Sequence, residues 1–134
     1  MSTMAPQSQP HAVIAPRPKG MLIDGQWVEA VSGQRFSVEN PAKRTPIADV
    51  PRAAEVDVDR AVAAAQKAQP AWAKVVPRER GKLLLKIAEA FEARVEEMAR
   101  TIALETGNAL RTQARGEARG AADIFRYFGG LAGE

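Results

Sequence analysis

Met21-Leu22-Ile23-Asp24-Gly25-Gln26-Trp27-Val28 decides how the structured part of this chain begins. Two short apolar runs flank Asp24-Gly25, a dipeptide that suits the type I′ turn because both central residues of that turn need positive φ. A β-hairpin is therefore expected from Met21 onward. Moving outward toward the C-terminus, Ser32-Gly33 marks a second turn and Arg35-Phe36-Ser37-Val38 a further strand. Asn40-Pro41 breaks that strand, since the residue before proline is restricted and proline has no N–H to donate. Ile47-Ala48-Asp49-Val50 is expected to return antiparallel to it. Two small ribbons of this kind are not stable alone and must rest on other elements.

Toward the N-terminus the pattern dissolves. Residues 1–20 hold Pro6, Pro10, Pro16 and Pro18 among Ser, Gln and Ala, with no apolar period. A Pro-rich disordered tail ending at Gly20 is expected. It is basic and free of acids, but Arg and Ser are too sparse for a transit peptide, and no apolar h-region marks a secretory signal. The tail also holds His11, the sole histidine.

Helices are expected over the remainder. The first spans about 55–69, with Glu55, Asp57 and Asp59 near its positive end, Val58, Val62 and Ala65 on one face, and Pro70 as its stop. The second starts at Pro77, a residue suited to a first helical turn. Leu84, Ile87, Phe91, Val95, Met98 and Ile102 recur at spacings of three and four. They describe one continuous apolar stripe on a helix about 40 Å long, closed by a left-handed Gly107. The third spans about 109–128, with Leu110, Ala114, Ala118, Ala121 and Phe125 on one side and Gly129, Gly130 and Gly133 after it. Trp72 is expected to pack against the first two helices.

The totals restrict what such a chain can do. With 134 residues it is one domain or part of one. Hydrophobic residues are 46% but aromatics only 5%, and alanine buries little area, so the core is thin. Of the net charge of +3, the first 20 residues carry +2. The body therefore lacks the clustered basic excess that nucleic-acid binding requires. Cysteine is absent, which removes disulfides, thiolate metal sites and a nucleophilic Cys from these residues. No apolar run approaches the roughly 20 residues that span a bilayer. The expected partners include neither nucleic acid nor membrane, and the expected compartment is the cytoplasm.

Several constellations invite functional readings that their surroundings oppose. Arg111, Arg115 and Arg119 form a basic stripe at i, i+4 and i+8, but no aromatic interleaves it and Glu117 and Asp123 temper it. A solvated or subunit-facing surface is expected rather than a phosphate site. Glu89, Glu92, Glu96 and Glu97 sit beside Lys86, Arg94 and Arg100, with Glu96 and Arg100 at the favourable i,i+4 spacing, so they describe a charged outer face. Gly116 and Gly120, and Gly129, Gly130 and Gly133, do not follow a strand and open a helix as a dinucleotide fingerprint must. They are expected to serve helix packing and capping.

Taken in order, certain stretches resemble the aldehyde dehydrogenase family. They are Ile23-Asp24-Gly25-Gln26-Trp27-Val28, Ser32-Gly33, Phe36, Asn40-Pro41-Ala42 and Ile47-Ala48-Asp49-Val50. Asp57-Val58-Asp59-Arg60-Ala61-Val62-Ala63-Ala64-Ala65 and Trp72 follow, then Glu79-Arg80-Gly81-Lys82-Leu83-Leu84, Leu104-Glu105-Thr106-Gly107 and Ala122-Asp123-Ile124-Phe125-Arg126-Tyr127-Phe128-Gly129-Gly130. Each is weak; together, in this order and spacing, they cover residues 21–134. The resemblance implies an α/β fold in which N-terminal β-hairpins and long helices belong to a Rossmann-like cofactor-binding domain. It further implies that the central sheet and the catalytic domain are missing from this chain.

The resemblance further implies an oxidoreductase that oxidises a small-molecule aldehyde to a carboxylic acid with NAD or NADP, as a homo-oligomer when complete. A thiolate attacks the aldehyde, hydride passes to the cofactor, a Glu helps water release the acid, and an Asn side chain with a backbone N–H holds the oxyanion. All of these groups, and the cofactor turn, match positions beyond Glu134, so no catalytic or cofactor-binding residue carries over. The rest of the enzyme chain is then the expected partner. A monovalent cation is implied near Val38, Glu39 and Glu105, where backbone oxygens and one carboxylate suit a hard cation. Gly107-Asn108-Ala109 departs from the family's usual Gly-Lys-Pro there. The alternative is a naturally short helical interaction module, or half of a split enzyme, meeting a partner through the 84–102 stripe or the third helix.

Overall fold

The computed structural model describes residues 20–132. The expected tail lies outside the described residues, save for Gly20. Two separate antiparallel ribbons come first: β1 (Met21–Ile23) with β2 (Gln26–Val28), and β3 (Arg35–Asn40) with β4 (Thr45–Pro51). Helices α1 (Glu55–Lys74), α2 (Pro77–Glu92) and α3 (Val95–Thr106) follow. A five-residue π turn, Leu110–Ala114, then leads into α4 (Arg115–Leu131). The α/β character is as expected, and the described residues contain no parallel sheet.

Local chemistry accounts for the ribbons. Asp24 and Gly25 adopt φ of 51° and 75°, so the β1–β2 turn has the positive φ values that its sequence demands. At the other turn Asn40 is buried, and its Oδ1 accepts from the N–H groups of Ala42 (2.9 Å) and Lys43 (3.2 Å). The Arg44 N–H closes the loop on the Asn40 carbonyl at 2.8 Å. Asn40 thus ends its strand by holding the turn with its own side chain. The ladder slips between Val38 and Glu39, which face Ala48 and Pro46 and leave Ile47 as the extra residue of a β-bulge. Pro46 lacks the N–H a regular ladder would use, which suits a bulge there.

Three expectations about the helices are corrected. Helix α1 does not stop at Pro70 but continues through it to Lys74. Residues 65–74 are all exposed, so water can satisfy the Gln66 carbonyl that Pro70 cannot reach. The long second helix is broken: Arg94, at φ −125° and ψ 18°, separates α2 from α3. Both halves pack on α4. The third helix does not begin as a regular one, because the Gln113 and Ala114 N–H groups share the Ala109 carbonyl at 3.0 and 3.1 Å. That wide turn precedes α4, which runs on to include Gly129 and Gly130. Gly107 is the left-handed cap of α3 at φ 78°, as expected.

Every buried hydrophobic residue among those described is an alanine: Ala30, Ala88, Ala99, Ala114, Ala118 and Ala122. Around Ala99, Ala114 and Ala118 lie the half-buried Val95, Met98, Ile102, Ala103 and Leu110. Phe91 stacks on Phe125 with ring centroids 5.3 Å apart. Helices α2 and α4 come close together where a Cβ on Gly81 would stand 2.6 Å from the Gly129 carbonyl oxygen. The thin core expected from composition is real. Trp72, expected against the first two helices, is 41% exposed.

Candidate functional site

Asp57 is, with Asn40, one of the two buried polar or charged residues among those described. Helix α1 has no capping side chain at Ala54, but Asp57 in its first turn turns back so that Oδ2 accepts the Ala54 N–H at 3.1 Å. Its Oδ1 accepts the Val31 N–H at 3.0 Å, across 26 residues, and lies 3.5 Å from the Arg60 guanidinium. The residue is 1% exposed. The N–H groups of Ala54 and Val31 hold its carboxyl below the usual carboxylate range against the effect of burial, and Arg60 assists. This carboxylate ties the segment after the first ribbon to α1. It offers no free oxygen to a substrate. The sequence pattern showed Asp57 only as one acid near a helix start; its long-range bond to Val31 had no sequence signal.

A second charged cluster lies where α2, α3 and α4 meet. An open cleft of about 360 Å³ is lined by Glu92, Val95, Glu96, Arg119, Ala122 and Asp123. Glu96 does not pair with Arg100 as expected. Arg115 reaches it instead with two bonds of 2.6 and 2.9 Å, lowering the Glu96 carboxyl below its usual range and raising the guanidinium. Arg126 spans Glu92 (2.7 Å) and Asp123 (3.1 Å). Acids and arginines neutralise each other across the helix junction, which leaves a tied surface rather than a reactive pair of carboxylates. Arg115 is thereby withdrawn from the basic stripe.

The three positions expected near a cation lie on two elements in contact, β3 and α3. Val38 is half-buried at the bulge, while Glu39 and Glu105 are exposed. The cap at Gly107 stands against Pro41, with a Cβ there 3.2 Å from the Pro41 Cγ, so the end of α3 meets the loop closing β3. A bulge beside a helix-end carboxylate is oxygen-rich chemistry of the right kind for a hard cation. Among the described residues no group of three or more His, Cys, Asp or Glu could hold a metal ion, so the fit is partial. The strand-to-helix junction from β4 to α1 contains Arg52, Ala53 and Ala54 and no glycine. It therefore lacks the turn that receives a dinucleotide pyrophosphate. No described helix is long and apolar enough to cross a membrane.

The arrangement has a known setting. Residues 27–134 match the model of the aldehyde dehydrogenase family. The chain belongs to the aldehyde dehydrogenase family. It is 43% identical over 124 residues to an aldehyde dehydrogenase of Aspergillus niger, covering 92% of this chain and 25% of that protein. An acetaldehyde dehydrogenase of Pseudomonas aeruginosa is 39% identical over 122 residues, covering 90% and 24%. Among solved structures, PnpE in complex with nicotinamide adenine dinucleotide superimposes with a TM-score of 0.83 at 42% identity, covering 87% of this chain and 24% of that one.

This aldehyde dehydrogenase chain therefore spans about a quarter of the length of the relatives it matches. The ribbons and helices keep the family arrangement across that quarter. The resemblance read from the sequence is thus correct, and so is the fold class.

Proposed function

We propose that this chain is the N-terminal segment of an NAD(P)-dependent aldehyde dehydrogenase that oxidises an aldehyde to a carboxylic acid, and that these residues alone are inactive. The observation that carries the proposal is the conjunction of a family match over 27–134 with a sequence that contains no cysteine. The family reaction requires a thiolate to attack the aldehyde. What these residues contribute is scaffold: α2, α3 and α4 packed as one unit, with the ribbons fastened to α1 through Asp57. NAD or NADP as cofactor follows from the family, and the NAD complex of PnpE supports it. The remaining three quarters of the enzyme is the partner in this proposal, with homo-oligomerisation of the whole and a cytoplasmic setting. Val38 and Glu39 backbone oxygens and the Glu105 carboxylate supply part of a monovalent-cation site there.

The test is a spectrophotometric one. Residues 1–134 are expected to give no aldehyde-dependent reduction of NAD or NADP. The same residues fused in place of the matching segment of the Aspergillus niger enzyme are expected to give turnover. Clear turnover by the 134-residue chain, or none by the fusion with its fold intact, would overturn the proposal.

A further inference from the structure

We infer that Asp24 is a modification site: its side-chain carboxyl condenses with the Gly25 backbone nitrogen, and the resulting ring reopens in water to leave an isoaspartyl linkage between the two residues. The modification is independent of the aldehyde dehydrogenase reading and needs no cofactor or partner. In the first step the Gly25 nitrogen bonds to the Asp24 Cγ. One carboxyl oxygen departs as water, taking the hydrogen of that nitrogen and the carboxyl's own. In the second step water adds to one of the two ring carbonyls. Addition at the backbone carbonyl leaves the main chain running through Cγ, whereas addition at Cγ restores aspartate. Atoms balance over the two steps, and nothing is oxidised or reduced.

The chain singles out this position among its own candidates. Its five aspartates precede Gly25, Val50, Val58, Arg60 and Ile124. A side chain on the following residue crowds the attacking nitrogen, most of all a β-branched one, and Gly25 alone brings none. Asp49 lies within β4, Asp57 and Asp59 within α1, and Asp123 within α4, where a hydrogen-bonded backbone must break before the ring can close. Asparagine can form the same ring, but Asn40 precedes Pro41, which has no N–H to give up. The Asn108 side-chain nitrogen is held by Glu117 at 2.8 Å. Asp24 sits instead in the turn between β1 and β2. Its side chain is 69% exposed, and a Cβ on Gly25 would meet nothing within 4 Å. Lys67 Nζ stands 3.9 Å from the Asp24 carboxylate, in a pair too solvated to hold it in place. Ring closure draws both residues out of their turn. The ribbon that resists is two strands of three residues each, marginal by itself and at the low end of local stability. The product adds one carbon to the main chain of a tight turn, so the pairings of Ile23 with Gln26 and Leu22 with Trp27 are lost with it.

The test is peptide mapping of the 134-residue chain, fresh and after several weeks at neutral pH and 37 °C. Trypsin releases residues 20–35 as one peptide in which Asp24 is the sole aspartate. A protease that cuts on the amino side of aspartate cleaves that peptide in fresh protein and spares the isoaspartyl form. The aged chain is expected to give a second 20–35 peak of unchanged mass that resists this cleavage. The peptides carrying Asp49, Asp57, Asp59 and Asp123 should give none. Asp24→Glu, which would need a larger ring, should lose the second peak. Gly25→Val should lose it too; valine strains the turn, but an opened turn only favours closure, so the loss reports crowding at the nitrogen. Asp24→Asn suits the same turn and closes the same ring with ammonia leaving, so the resistant peptide should accumulate faster. Complete cleavage of the aged 20–35 peptide overturns the inference. So does a resistant fraction shared equally by the other aspartates, one unchanged by Gly25→Val, or one that forms more slowly with Asp24→Asn.

Discussion

Replacing Gly81 by alanine tests the packing on which the three-helix unit depends. The added Cβ would lie 2.6 Å from the Gly129 carbonyl oxygen and 3.2 Å from the Ala132 Cβ. Carbon and carbonyl oxygen in van der Waals contact stand roughly 3.3 Å apart or more, so α2 and α4 must separate by about 0.7 Å. Both partners at this point are backbone, and no rotamer change relieves the clash. Overpacking of this kind costs about 1–3 kcal/mol, offset by up to about 1 kcal/mol from the better helix propensity of alanine. Gly120→Ala receives the same propensity gain with no clash, because its Cβ meets nothing. The difference between two chemically identical substitutions therefore isolates the clash, at about 1–3 kcal/mol. Urea unfolding followed by far-ultraviolet circular dichroism measures it, with equal slopes required before the midpoints are compared. A Gly81→Ala midpoint equal to or above that of Gly120→Ala would refute the close crossing of α2 and α4.

Asp57 makes the chain acid-sensitive. Its folded carboxyl titrates below the ordinary 3.8 because of the Ala54 and Val31 N–H groups. The stabilisation is thus present above that value and is lost as the pH falls from about 5 through the depressed folded value. Asp57→Asn should unfold more easily at neutral pH and show a shallower loss of stability toward acid, in urea titrations from pH 7 to 3; an unchanged slope would rule the carboxylate out. Some acid sensitivity should persist in that variant, because Lys82 and Arg115 likewise lower Glu79 and Glu96. Pro70→Ala should stabilise α1 by about 1–2 kcal/mol, less than the ~3 kcal/mol of a helix interior proline because the lost bond faces water. Slower amide exchange over residues 66–74 would register it, and unchanged exchange would contradict it. In the fusion, exchanging potassium for tetramethylammonium should lower the unfolding midpoint, and Glu105→Gln should abolish the difference; a midpoint indifferent to the cation would remove the site.

Local features were legible from the residues alone, and each has a cause contained within a few positions. Asp24-Gly25 specified its turn because few residues other than glycine tolerate positive φ, and Gly107 capped α3 for the same reason. Asn40 ended β3 through bonds to residues two and three positions on. The alanine-rich composition announced a thin core, and the ordered family stretches announced the fold. The candidate site was legible only as the resemblance carried it. The bulge that places Val38 and Glu39 at an irregular edge depends on pairing with a strand several residues away.

Other features were decided by tertiary structure. The 84–102 stripe has unbroken helical spacing, and nothing in it forecasts the break at Arg94, which belongs with the packing of α2 and α3 on the same helix. Glu96 has a suitable partner in Arg100 at i,i+4, but packing set Arg115 closer, with two bonds in place of one solvated pair. Asp57 has one acceptor satisfied by its own helix start and the other by Val31, 26 residues earlier. Gly129 and Gly120 are the same residue in the same helix; a Cβ on one would meet Gly81 and a Cβ on the other would meet no described residue within 4 Å. Sequence by itself determined what each backbone segment prefers, since those preferences act over one to four residues. Which side chains meet, and which surfaces stay open, was decided only when the helices crossed, because contact between distant residues is a property of their separation in space.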